Sequence, residues 1–206
     1  MDDMNTKRKI GIIGGTFNPI HLGHLILAEN AYDKLSLCKV VFMPTGKSYL
    51  KDQKIILDAD IRIKMISEAI KDNDHFTVSD FETKKKGNTY TCETLSELTL
   101  LNPDDELYFI IGEDSIYNIE TWRDPQVIFN KCILVVAPRD HVPDNKLVNI
   151  RDHLINKYGA RIVLLDAPDI DISSSMIRKR IEDSRSIRYY VPDSVANMID
   201  KNGYYH

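Results

Sequence analysis

Ile10-Gly11-Ile12-Ile13-Gly14-Gly15-Thr16-Phe17-Asn18-Pro19-Ile20-His21-Leu22-Gly23-His24 is the stretch from which the fold can be read. Ile10–Ile13 is a short unbroken apolar run, the pattern of a strand buried on both faces. Leu22–Leu35 follows with apolar residues at Leu22, Leu25, Ile26 and Ala28, the spacing of a helix that buries one side. Two adjacent glycines between them suggest a tight turn with bare backbone N–H groups. The following helix adds unpaired N–H groups and a partial positive charge, and together these form a seat for phosphate. His21 and His24 are three apart and share a face at the helix start, while Gly23 keeps that face open to a ligand. The same histidines could simply cap or solvate the helix. A zinc site would need a third ligand, and none has suitable spacing.

The rest of the chain repeats the alternation. Val40–Met43, Leu107–Ile111, Ile133–Ala137 and Ile162–Leu165 read as further buried strands. Ile61–Ile70, Thr91–Leu101, Leu147–Tyr158, Ser175–Ile181 and Ser194–Lys201 read as helices. The first of these starts at Asp58 or Asp60, and Gly159 serves as a left-handed cap after Tyr158. Continuous apolar strands alternating with amphipathic helices imply an α/β fold: a doubly wound, Rossmann-like parallel sheet with helices on both faces. Residues 1–206 are read as one domain. Ligands of such sheets bind beyond the carboxyl ends of the strands, so chemistry is expected just after Ile13, Met43, Ile111, Ala137 and Leu165.

Bulk properties narrow the function. The net charge of −4 gives no global basic field, which disfavours nucleic acid as a partner and leaves any anionic substrate to local groups. Cys38, Cys92 and Cys132 are few and far apart, without metal-ligand or disulfide-framework spacing, and Cys132 sits in an apolar run as a buried thiol. No stretch is long enough to span a bilayer and no secretory segment precedes the first strand, so the expected setting is cytoplasmic. A second chemical segment follows the last strand. In Ile172-Ser173-Ser174-Ser175-Met176-Ile177-Arg178, consecutive serines offer an N-cap with spare hydroxyls, and Arg178 lies one turn into the helix. Read alone, the segment is also compatible with a plain capped helix with a solvated basic face.

The run Gly14–His24 resembles the signature of the nucleotidylyltransferase superfamily, whose core is Thr/His-x-Gly-His. In full it is similar to the Gly-Gly-Thr-Phe-Asp-Pro-Ile-His-x-Gly-His of bacterial nicotinate-nucleotide adenylyltransferases, with Asn18 in place of Asp. Ile172–Arg178 is similar to that family's Ile-Ser-Ser-Thr-x-Ile-Arg, with Ser175 in place of Thr. Ile111-Gly112-Glu113-Asp114 followed by Trp122 resembles its Gly-x-Asp and Trp. Tyr90-Thr91-Cys92-Glu93-Thr94-Leu95 resembles its Ser-Tyr-Thr-x-Asp-Thr-Leu, with Thr89 for Ser and Glu93 for Asp. The resemblance runs from Lys9 to about Tyr205. Two departures stand out. Thr45–Lys51 occupies the place of Pro-Pro-His-Lys, with Leu50 where histidine is expected, and Pro138-Arg139-Asp140 stands where Arg-Pro-Gly is common.

The resemblance implies transfer of the AMP part of ATP to nicotinate mononucleotide, releasing pyrophosphate, with Mg2+ held mainly through ATP phosphates. It implies an ATP site at Gly14, Gly15, Thr16, Phe17, Gly23, Ile172, Ser173, Ser174 and Ser175, with His21, His24, Lys51 and Arg178 as the catalytic set. It also implies an acceptor site at Thr91, Gly112, Asp114, Trp122 and Arg139. A sister transferase using phosphopantetheine or nicotinamide mononucleotide remains an alternative, as does a non-catalytic ATP-binding sensor. Homo-oligomerisation is compatible with all of these.

Overall fold

A computed structural model describes residues 7–46, 56–138 and 144–206. The elements in chain order are β1 (Arg8–Gly15), α1 (Leu22–Leu35), β2 (Lys39–Pro44), α2 (Ala59–Ile70), β3 (Phe76–Val78), α3 (Thr91–Leu101) and β4 (Asp105–Gly112). They continue with α4 (Glu113–Ile116), a 3-10 turn at Ile119–Thr121, α5 (Pro125–Lys131), β5 (Cys132–Ala137), α6 (Asn145–Tyr158), β6 (Ile162–Leu164), α7 (Ser174–Glu182) and α8 (Asp193–Asn202). The six strands form one sheet in the order β3-β2-β1-β4-β5-β6, every pair parallel. This is the doubly wound arrangement expected. The strand order reverses between β1 and β4, where Ile12 is in register with Val41 on one side and Phe109 on the other.

Alternate residues of the central strands feed two cores, because successive side chains of a strand point to opposite faces. Ile13, Tyr108, Ile110 and Val135 pack with Ala28 and Ala31 of α1, Met65 and Ile66 of α2, Ile177 of α7 and Ile199 of α8. Ile10, Ile12, Phe109, Ile111, Leu134 and Val136 pack with Leu95 of α3, Ile128 of α5 and Leu147 and Leu154 of α6. With both faces covered, the strands must be apolar throughout, which is why they were legible as unbroken runs. Gly11 lets the layers approach closely: a Cβ there would lie 2.8 Å from the Leu37 side chain.

α2 starts from Asp58, one of the two starts expected. Other boundaries shift: α7 begins at Ser174 rather than Ser175, and β6 ends at Leu164. Gly159 has φ 65° and caps α6 as expected, and Cys132 is buried, its thiol pushed up to about 12 by burial. β3 and α5 were not anticipated. Three residues of strand carry too little periodicity to recognise, and α5 starts after Asp124 at φ 46° without an aliphatic stripe of its own. Among the described residues no helix is long and apolar enough to cross a membrane.

Candidate active site

A cleft of about 910 Å³ opens at the carboxyl ends of β1 and β4, where the strand order reverses. One end is built by the loop after β1. The two glycines do not form the turn: Gly14 and Gly15 are the last residues of β1, in register with Met43 and Pro44 of β2. What they contribute is the missing Cβ, which would come to 3.3 Å from the Phe109 ring at Gly14 and 3.2 Å from the Phe17 ring at Gly15. The left-handed residue of the turn is Phe17 itself (φ 49°). A bulky side chain in that region costs of order 1–3 kcal/mol, and the Phe17 ring, 1% exposed, offsets it by burial.

α1 starts at Leu22 with His21 in extended conformation as its N-cap. The His21 and His24 rings stack with centroids 3.6 Å apart, and Phe17 meets His24 edge-on at 4.9 Å. The His21 N–H donates to His24 Nδ1 (3.3 Å). An Nδ1 that accepts carries no proton, so His24 in this arrangement is neutral with its proton on Nε2. Gly23 is needed for this packing, since a Cβ would lie 3.1 Å from His21 Nδ1.

His21 is only 6% exposed, and burial lowers its pKa to about 4, so it too is neutral at neutral pH. Both imidazoles therefore offer N–H donors rather than full positive charges. An unfolded histidine takes up a proton near pH 6.5, whereas buried His21 does not until about pH 4. Protons thus favour the unfolded chain in between. The associated stability is intact above pH 6.5 and is lost as pH falls toward 4, by roughly 3 kcal/mol at its full extent. In urea titrations, the unfolding midpoint of the unsubstituted chain is expected to fall between pH 6.5 and 4 more steeply than that of His21→Asn; parallel curves would refute the assignment.

The second segment arrives at the same end. Ser173 caps α7, its hydroxyl accepting the Met176 N–H (3.2 Å). Ser174 Oγ donates to the Pro19 carbonyl (2.8 Å), and Arg178 donates to the Asn18 carbonyl (2.7 Å) across 160 positions of sequence. Ile172, Ser173, Ser174, Ser175 and Arg178 line the cleft together with Thr16, Phe17, His21, Gly23 and His24.

The other end of the cleft is made by α3 and the segment after β4. Thr91 is the first residue of α3, with Tyr90 rather than Thr91 as N-cap. Gly112 caps α4, and Asp114 lies in its first turn. Trp122 stands edge-on to Phe109 with centroids 6.5 Å apart. All four line the cleft. Lys51, Leu50 and Arg139 lie outside the described residues.

Sequence reasoning missed three groups here. Arg62, 3% exposed, donates to the carbonyls of Leu57 (2.9 Å), Thr16 (2.8 Å) and Thr45 (2.9 Å), pinning the ends of β1 and β2 from beneath. It lies beside Ile61 on α2, and nothing in the apolar spacing marks it as inward-facing. Glu82 is buried on the cleft wall and accepts the hydroxyls of Thr94 (2.8 Å) and Thr89 (3.2 Å). Burial raises its pKa and the two hydroxyl bonds oppose that shift. Thr45 Oγ1 is buried on the cleft wall with no partner among the described residues, a polar atom that a ligand could satisfy.

Among the described residues no group of three or more His, Cys, Asp or Glu side chains is assembled to hold an ion. Imidazole, hydroxyl and guanidinium groups at the loop end suit phosphate oxygens.

The chain is similar in sequence and fold to known proteins. The cytidylyltransferase-like family profile matches residues 12–180. A probable nicotinate-nucleotide adenylyltransferase of Lachnoclostridium phytofermentans is 44% identical over 96% of this chain and 99% of its own. One from Clostridium botulinum is 40% identical over 96% and 98%. Among solved structures, Plasmodium falciparum nicotinic acid mononucleotide adenylyltransferase complexed with NaAD superposes with a TM-score of 0.79 at 20% identity, covering 96% of this chain and 97% of that one, a likeness of fold.

Proposed function

The chain belongs to the nicotinate-nucleotide adenylyltransferase family, within the cytidylyltransferase-like group, and from that premise we propose that it transfers AMP from ATP to nicotinate mononucleotide, giving nicotinate adenine dinucleotide and pyrophosphate. The observation that carries this reading is the meeting of the β1–α1 loop and the start of α7 in one cleft whose far wall holds Thr91, Asp114 and Trp122. The whole chain is read as one catalytic domain, and a cytoplasmic setting goes with ATP as substrate.

In this mechanism the acceptor phosphate attacks the α-phosphorus of ATP in line. An oxygen–phosphorus bond forms as the bond to the β-phosphate oxygen breaks, and pyrophosphate leaves. The acceptor phosphate is mostly dianionic at neutral pH, so no strong base is required. The tasks left to the chain are positioning two polyanions and stabilising charge on the transferred and departing phosphates. Backbone N–H groups of Thr16 and Phe17, in the loop after β1, seat phosphate, with Gly15 leaving the strand end open beside them. His21 and His24 donate to the α- and β-phosphate oxygens, and Arg178 holds the β- and γ-phosphates with Ser174 and Ser175. Lys51 is assigned the same phosphates. Mg2+ arriving with ATP would be held by phosphate oxygens and would neutralise charge there.

At the acceptor end, Thr91 and the start of α3 receive the nicotinate carboxylate, Asp114 and the Gly112 backbone meet the ribose, and Trp122 stacks on the pyridine ring. Arg139 is assigned to the same end. Trp122→Ala is expected to raise KM for the pyridine nucleotide roughly 10-fold, the combined scale of stacking and lost burial, and to change KM for ATP little. Equal effects on both would count against stacking.

The test is pyrophosphate release from ATP with a panel of acceptors: nicotinate mononucleotide, nicotinamide mononucleotide and phosphopantetheine. Fastest turnover with nicotinate mononucleotide is expected. Preference for another acceptor would reassign the substrate, and ATP binding without pyrophosphate release would indicate a sensor.

A further inference from the structure

The loop from Thr16 to Leu22 is held from outside as well as from Arg178. Tyr205 Oη donates to Asn18 Oδ1 (2.9 Å), and the Leu57 N–H donates to the same oxygen (3.1 Å). At the other end of the loop, the Tyr190 carbonyl accepts the N–H of Leu22, the first residue of α1 (2.9 Å). Both tyrosines lie beyond residue 180, where the match to the family profile ends.

The local chain explains how they arrive. α8 packs Val195 and Ile199 into the core, and Ser194 Oγ donates to the Glu68 carbonyl of α2. Gly203 (φ 63°) ends α8, the Tyr204 N–H returns to the Ile199 carbonyl (3.1 Å), and Tyr205 is thereby turned back toward Asn18. The hydroxyl keeps its proton, because burial raises its pKa more than the nearby guanidiniums of Arg178 and Arg62 lower it. It is therefore a donor aimed at an acceptor. Asn18 is thus the joint of the site: its carbonyl orients Arg178 and its side-chain oxygen is fixed by Tyr205 and Leu57. An aspartate there could accept from both the Tyr205 hydroxyl and the Leu57 N–H equally well, which accounts physically for the tolerance of Asn18 where the family usually has Asp.

We propose that Tyr205 is a positioning residue for the ATP half of the site, acting through Asn18 on Arg178 and the phosphate-seating loop. The proposal rests on the adenylyltransferase reading above. The acceptor-side residues Thr91, Asp114 and Trp122 belong to α3 and to the segment after β4, and none of them is a hydrogen-bond partner of Tyr205. The effect should therefore fall on one substrate alone.

The test uses Tyr205→Phe, which removes only the hydroxyl. Dissociation constants are measured by calorimetry, well below the thermal midpoint, for an unreactive ATP analogue and for nicotinate mononucleotide. The variant is expected to bind the ATP analogue roughly 3- to 10-fold more weakly, the scale of one hydrogen bond, and the mononucleotide unchanged. In an Asn18→Ala background, where the acceptor is gone, Tyr205→Phe should add nothing. Unchanged affinity for both ligands, equal loss for both, or an undiminished loss in the Asn18→Ala background would each overturn the proposal. Failure of the unsubstituted chain to bind the ATP analogue would instead overturn the adenylyltransferase reading itself.

Discussion

Replacing His24 by alanine is expected to lower kcat at least about 100-fold, the scale of losing one preorganised donor to a charge-bearing oxygen. The expectation comes from the way the ring is held. His24 is packed against His21 at 3.6 Å and against Phe17 at 4.9 Å, and its Nδ1 accepts the His21 N–H. The Nε2–H is thereby committed as a donor before any substrate arrives. A donor that need not reorient during the reaction stabilises developing charge without a reorganisation cost. KM for ATP should change less than kcat, because the bond strengthens as charge grows on the phosphate oxygens. His24→Asn, which retains a shorter donor, should fall between. Steady-state rates with saturating ATP measure this directly, and near-normal kcat in His24→Ala would remove His24 from the chemistry.

Arg62→Met is expected to cost about 3–5 kcal/mol of stability, near the upper end for a single substitution. The methionine keeps much of the apolar stem and loses every donor. Carbonyls of Leu57, Thr16 and Thr45 would then lose their buried partner together. For a chain of this length that corresponds to a fall in Tm of roughly 10 °C or more. Arg62→Lys should recover less than half of the loss, since one ammonium cannot span three carbonyls arranged around a planar fork. Because Thr16 and Thr45 line the cleft, ATP affinity should fall as well. A thermal scan of the two variants decides the point, and a fall in Tm under about 3 °C for Arg62→Met would contradict it.

The contrast between His24 and Arg62 shows what the sequence made legible. The central strands were readable because both sheet faces are covered, which forces unbroken apolar runs such as Ile10–Ile13 and Leu107–Ile111. The two ends of the ATP site were readable because each is a dense local pattern: glycines, histidines and a helix start in one case, serines and an arginine at a helix start in the other. Groups that act through long-range contacts left no such mark. Arg62 sits on a helix among charged and apolar neighbours, Glu82 is one acid in a polar loop, and Tyr205 follows a helix with no motif of its own. Their significance is created by partners scattered along the chain, 5 to 187 positions away. The glycine pair shows a subtler difference. Its location was legible, but its use was not, because whether a glycine supplies a turn or an open strand surface depends on rings brought in by Phe17 and Phe109.

The central claim is that the β1–α1 loop and the start of α7 grip one triphosphate. A crystal structure of the chain with an unreactive ATP analogue tests it most directly. The account predicts phosphate oxygens within hydrogen-bond distance of a His21 or His24 ring nitrogen and of the Arg178 guanidinium in the same bound molecule. A triphosphate bound against one segment while the other stays unengaged would contradict it.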